Sequence, residues 1–136
     1  MEDCVKFFGF LNHADCLHEM EQADIFLHPS VVAANGDTEG GAPTVILEAQ
    51  ALGMPVVSTY HADIPNVTVP DKSASLVPER DADALVGALL DLVDHPEKWQ
   101  EMGRAGRAFV EEFHNIDVEV TRLEDKYFRL IDGAKG

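Results

Sequence analysis

The sequence predicts an α/β fold: a partial parallel sheet flanked by helices, with a helical C-terminal end. Three observations predict it. Short apolar runs alternate with helix-period segments through the first half of the chain. Each run stops at proline, glycine or a polar cluster. From Asp81 onward the apolar residues recur at helical spacing alone. At 136 residues the chain suits one domain with a real core.

The elements follow in order. Val5 to Phe10 is an apolar run containing one glycine, and reads as a strand leaving into a loop. Asn12 to Gln22 reads as a helix capped by Asn12, with Leu17 and Met20 inward. Ala23 to Leu27 reads as a buried strand, ended by His28-Pro29-Ser30 because proline cannot donate to a ladder. Val31 to Gly41 is a polar, glycine-bearing loop. Pro43 sits where a first helical residue is favoured, and Gly53 ends the helix. Its apolar residues Val45, Ile46, Ala49 and Leu52 share a face. Pro55 to Thr59 reads as the next strand, and Ser75 to Val77 as a short final one.

The remainder is helical. Asp81 to Val93 carries Leu85, Val86, Leu89, Leu90 and Val93 at helical spacing. Pro96 opens a helix with Trp99, Met102, Gly106, Phe109, Val110 and Phe113 inward. Ile116 to Ile131 carries a stripe of Ile116, Val120, Leu123, Tyr127 and Leu130, which reads as core or interdomain packing. Three or four strands are few for a doubly wound sheet, which usually has about five or six. Residues 1–136 therefore read as one truncated domain.

Charge and composition exclude several functions. A net charge of −15 repels phosphate backbones and anionic headgroups, so nucleic acid is not an expected partner. No apolar run approaches the ~20 residues of a membrane span, and no signal peptide is visible, so a cytoplasmic protein is expected. Cys4 and Cys16 are too few for a disulfide framework. They lie near His13 and His18, but that spacing matches no standard zinc pattern, and no metal site is expected.

The chemistry is concentrated in Asp37-Thr38-Glu39-Gly40-Gly41-Ala42-Pro43-Thr44-Val45-Ile46-Leu47-Glu48-Ala49. Two carboxylates, Glu39 and Glu48, flank a glycine-rich turn that opens a helix. Glycine lets the backbone approach a ligand closely. A helix N-terminus offers unpaired N–H groups and a positive dipole end to phosphate. A carboxylate accepts two hydroxyl hydrogen bonds, which suits a ribose or a hexose. The same run also reads as a helix whose acidic N-terminus merely complements its own dipole. The residues alone leave both readings open.

This run resembles the glutamate–seven–glutamate signature of the retaining family 4 glycosyltransferases (glycosyl transferases group 1), which have the GT-B fold. Its neighbours resemble that family in order: Val5 to Gly9, Ala23 to Ser30, Glu48 to Val57, and Leu76 to Asp81. The resemblance implies the donor-binding C-terminal part of the enzyme, with a Rossmann-like sheet. It implies that Glu48 holds ribose hydroxyls and that Glu39 contacts the donor hexose near the reacting carbon. It implies that Gly41, Ala42, Pro43 and Thr44 line the diphosphate, Pro43 offering only shape and a carbonyl, with Gly40 in the same turn. His61, at a strand end, reads as a donor contact or as a loop histidine bonded to backbone; His28 reads as structural.

The implied reaction moves a hexosyl group from a nucleotide-diphosphate sugar to an acceptor hydroxyl with retention. It needs no metal or other cofactor. The implied partner is an N-terminal acceptor domain, or a partner chain supplying one. The isolated chain is then expected to be inactive. A self-associating or partner-binding module on the same fold, acting as a homo-oligomer, is the alternative.

Two departures from the pattern stand out. In strict register from Glu48 the first position is Gly40, and Glu39 sits one residue early. Asn66 follows Ile64-Pro65, where the family commonly has a glutamate. Lys72 and Arg80 read as solvated rather than as diphosphate ligands.

Overall fold

The computed structural model describes residues 4–38 and 41–133. In chain order it has α1 (His13–Glu21), β1 (Phe26–His28), α2 (Thr44–Ala51), β2 (Val56–Thr59), β3 (Ala74–Val77), α3 (Ala82–Asp94), α4 (Trp99–Phe113) and α5 (Ile116–Gly133). Short 3-10 turns cover Ile64–Asn66 and Pro96–Lys98.

The sheet has the order β1-β2-β3, and both pairings are parallel. Phe26 lies opposite Val56, and Val56 opposite Ala74. All four residues of β2 are buried, as a strand covered on both faces requires. Its alternating side chains divide two cores. Val56 packs with Met20, Ile46, Ala49, Met54 and Ile64. Val57 packs on the other face with Leu92 and Met102, beside Trp99 and Leu85. Helices therefore flank the sheet on both sides, as the alternation of runs predicted.

Local chemistry sets the helix ends. Asn12 caps α1 by accepting the Asp15 amide at 3.0 Å, and Asp81 caps α3 by accepting that of Ala84 at 2.9 Å. After α2, Gly53 takes φ +79°, and the Gly53 and Met54 amides return to the carbonyls of Gln50 and Ala49. That paired closure needs a residue without Cβ strain. Buried Gln50 would be costly unpaired. Its amide donates to the Val67 carbonyl at 2.7 Å, and its own carbonyl accepts the Ser73 hydroxyl at 2.7 Å.

Four expectations change. Val5 to Phe10 forms no strand; the segment is exposed. The strand expected over Ala23 to Leu27 starts three residues later, and Ala23 and Asp24 are exposed. Phe113, expected inward, is exposed. The α5 stripe packs on no core here: Ile116 is 72% and Leu130 70% exposed. No helix among the described residues is long and apolar enough to cross a membrane.

Candidate functional site

Ligands of open α/β sheets bind beyond the carboxyl ends of the strands. Helices that feed parallel strands run antiparallel to them, so α1 and α2 begin at that same end. The segments following β1, β2 and β3 leave from it too. The topology thus gathers residues from five parts of the chain.

The chain leaves β1 into a long loop, which β2 holds by side chains. Pro29 has no amide to continue the ladder. Ser58 Oγ donates to the His28 carbonyl at 2.6 Å instead, and Thr59 Oγ1 to the Ser30 carbonyl at 2.5 Å. Further along, the loop closes on itself. The Ala33 amide donates to the Asp37 carbonyl at 2.8 Å, and Gly36 turns the chain at φ +83°.

Residues after β2 and β3 grip both ends of this loop. Glu79 Oε2 accepts the Val32 amide at 3.0 Å, and its Oε1 lies 2.7 Å from His61 Nδ1. His61 Nε2 lies 2.9 Å from Thr38 Oγ1. The Arg80 guanidinium donates to the Val32 carbonyl. The Val32 peptide is thus held on both sides by adjacent residues. Arg80 itself sits at φ +62°, a conformation costly for a non-glycine residue. The Val32 amide, and then His61, hold the Glu79 carboxyl below its ordinary range.

The second group lies at the start of α2. Gly41 turns the chain at φ +59°, and its carbonyl accepts the Asp63 amide at 3.4 Å. Pro43 stands at the cap position, one residue before the helix rather than within it, and supplies no side-chain bond. Ala42 and Pro43 are half-buried; Gly41 and Thr44 are exposed. Glu48, half-buried on the same helix, meets His13 of α1: Oε1 lies 2.9 Å from Nε2.

The expected site residues therefore divide. Gly41, Ala42, Pro43, Thr44 and Glu48 lie along the start of α2. His61 is 2% exposed and bonds side chains, so it is not the backbone-bonded loop histidine considered above. Glu39 and Gly40 lie outside the described residues. His28 stacks on Phe26, with ring centroids 6.0 Å apart. Asn66 donates to the Asp63 carboxylate at 3.2 Å. Arg80, expected to be solvated, is exposed yet bonded to the loop.

Sequence reasoning gave no role to Glu79 or His13, and none to Thr38 within the run that contains it. One signal was available for Glu79: it directly follows Val77-Pro78 at a strand end, where functional groups of such sheets gather. Among the described residues, no three His, Cys, Asp or Glu side chains form a group able to hold a metal ion.

Comparison with known proteins agrees with this layout. Residues 1–109 match the family described as glycosyl transferases group 1. The amylovoran biosynthesis glycosyltransferase AmsK of Erwinia amylovora is 40% identical over 130 residues, covering 96% of this chain and 32% of that protein. The putative colanic acid biosynthesis glycosyltransferase WcaL of Escherichia coli is 47% identical over 89 residues, covering 65% of this chain and 22% of that protein. The chain thus spans a third or less of these relatives' length.

Among solved structures, HepE of Anabaena, in complex with UDP, superposes with a TM-score of 0.81 at 19% identity. The match covers 94% of this chain and 33% of that one. Sucrose-phosphate synthase of Thermosynechococcus elongatus gives 0.79 at 23% identity, covering 96% and 31%. At these identities the likeness is one of fold. On the family match and the 40% identity to AmsK, the chain belongs to the glycosyl transferases group 1 family, with the α/β layout of its GT-B members.

Proposed function

We propose that this chain is the donor-binding portion of a retaining, family 4 glycosyltransferase. The enzyme moves a hexosyl group from a nucleotide-diphosphate sugar to an acceptor hydroxyl. One observation carries the reading: α2 begins at the carboxyl end of the sheet with no side-chain cap, and carries half-buried Glu48 one turn further on.

Each group then has a task. The free end of α2 and the amides of Gly41, Ala42 and Thr44 face the diphosphate, where the helix dipole favours negative charge. Glu48 accepts two ribose hydroxyls. Glu39 approaches the hexose beside the anomeric carbon. In the reaction the anomeric C–O bond to phosphate breaks, and the nucleoside diphosphate leaves with the electron pair. A C–O bond to the acceptor oxygen forms on the same face, and the acceptor's hydroxyl proton passes to the departing phosphate oxygen. Charge on the leaving diphosphate is stabilised by fixed dipoles without a metal. An acceptor domain, in the same protein or a partner, completes the cleft. Without it the chain binds donor weakly and transfers nothing.

Two comparisons support the donor class. A relative from Corynebacterium glutamicum, 37% identical over 119 residues, is named as GDP-mannose-dependent. HepE has been solved with UDP and with UDP-glucose. Calorimetric titration of this chain with UDP-glucose and GDP-mannose tests the reading. Binding of one donor is expected, weakened about tenfold or more by Glu48→Gln, because a charged hydrogen bond contributes about 1.5–3 kcal/mol. Absence of heat with both donors at millimolar concentration counts against it.

A second reading is favoured by α5. Its exposed stripe of Ile116, Leu123, Tyr127 and Leu130 is larger than scattered surface residues explain. In this reading the chain is a self-associating module that ignores nucleotides. Light scattering separates the two: a compact dimer insensitive to donor favours the second.

A further inference from the structure

The loop after β1 leads in sequence to the turn before α2, and its course is fixed by side chains from the segments after β2 and β3. The bonds around it converge on one side chain. We propose that Glu79 is a positioning residue for the donor cleft: it grips the start of the loop at Val32 and, through His61, its far end at Thr38. This inference rests on the donor-binding reading above.

The geometry is specific. Glu79 places its two oxygens on two different partners, the Val32 amide at 3.0 Å and His61 Nδ1 at 2.7 Å. His61 carries the link onward to Thr38 Oγ1 at 2.9 Å. The imidazole is 2% exposed, so it is held in one orientation rather than swinging in solvent. Val32 and Thr38 are exposed loop residues outside both cores. Arg80 reinforces the first anchor through the Val32 carbonyl, and does so from a costly positive φ. A strained conformation persists where surrounding contacts over-determine it, and the Val32 grip is such a contact.

The chemistry also fixes the proton. An ionised carboxylate only accepts, so His61 Nδ1 carries hydrogen toward Glu79. In the neutral ring, Nε2 then accepts the Thr38 hydroxyl. The relay runs from Thr38 through His61 to Glu79, each group orienting the one before it. Its expected output is a fixed course for residues 32–38, which lead in sequence to the start of α2. No proton need move for that role.

Two variants separate positioning from simple stability. Glu79→Ala removes both anchors. Glu79→Gln keeps an acceptor for Val32 but presents an amide N–H to His61 Nδ1. The ring must then carry its proton on Nε2 and donate to Thr38. In imidazole nitrogen spectra the wild-type chain is expected to show the Nδ1–H form, and Glu79→Gln the Nε2–H form. In Glu79→Ala, amides 32–38 are expected to exchange about tenfold faster, while those of Val56 and Val57 are unchanged. Affinity for UDP-glucose or GDP-mannose should fall about tenfold in Glu79→Ala, and less in Glu79→Gln. If Glu79→Ala fails to fold, Thr38→Val removes the hydroxyl that meets His61 and should speed exchange at 36–38. Unchanged exchange at 32–38, or a loosened loop with unchanged donor affinity, overturns the proposal. A wild-type chain that binds neither donor overturns the cleft reading and the positioning role with it, while the exchange data still report the tether separately.

Discussion

His13 Nε2 stands 2.9 Å from Glu48 Oε1 and so ties the first residue of α1 to the middle of α2. The pair bridges two helices that begin at the same end of the sheet. It orients the carboxylate assigned to the ribose. Surface pairs of this kind contribute about 0–1 kcal/mol to stability. His13→Ala is therefore expected to leave the melting temperature nearly unchanged and to weaken donor binding a few-fold. A large loss of stability would show that the pair is structural.

Acid should release the loop after β1. The Glu79 carboxyl is held below its ordinary range, first by the Val32 amide and then by His61. A depressed carboxyl contributes stability above its unfolded pKa and loses it as pH falls through the folded one. Arg80 nearby also favours the carboxylate. The tether should therefore hold through neutral and mildly acidic pH and fail only below the ordinary carboxylate range. The Val32 amide shift, followed by NMR across a pH titration, reports this. A single step near neutrality would contradict it.

Helix α4 approaches α2 closely enough to require glycine. A Cβ on Gly103 would meet the Gly53 carbonyl oxygen at 1.9 Å, and one on Gly106 the Gln50 Cγ at 3.0 Å. Gly103→Ala forces backbone apart, at a cost of about 1–3 kcal/mol or more. Gly106→Ala meets a side chain that can shift, and should cost less. Thermal melts of the two variants should rank in that order. Equal stability would mean that the helices pack further apart.

Burial separates the two apolar helices of the C-terminal half. Leu92→Ala, in the core of α3, should cost about 2–5 kcal/mol, whereas Leu123→Ser on α5 should change stability by less than about 0.5 kcal/mol in the monomer. A destabilised Leu123→Ser variant would place another surface over α5 in solution.

The fold was largely legible because its signals are local. Asn12 caps α1 where the sequence placed a cap, and Gly53 turns the chain after α2. The strand over Val56–Thr59 stood out because a strand covered on both faces needs an unbroken buried run. Val5 to Phe10 misled for the converse reason. Apolar composition states a demand for burial, but a strand also needs a neighbour, and none of the described residues pairs with it. Likewise the stripe of α5 announces a face without saying what meets it. At the site, the helix start after the glycine turn could be read from the residues, and the role given to Glu48 came from the family resemblance. The Glu79–His61–Thr38 relay could not, because those residues lie 18 and 23 positions apart and meet only once the parallel sheet has formed.

Everything functional depends on donor binding at the open end of α2. The most direct measurement is an amide NMR titration of the chain with UDP-glucose and with GDP-mannose. The account predicts saturable shifts confined to Gly41, Ala42, Thr44 to Glu48 and His13, with Glu39 and Gly40 among them, and their loss in Glu48→Gln. Shifts gathered instead around Asp71, Lys72 and Lys98, in the cleft lined by Ser75 and Met102, would contradict it, as would a spectrum unmoved by either donor.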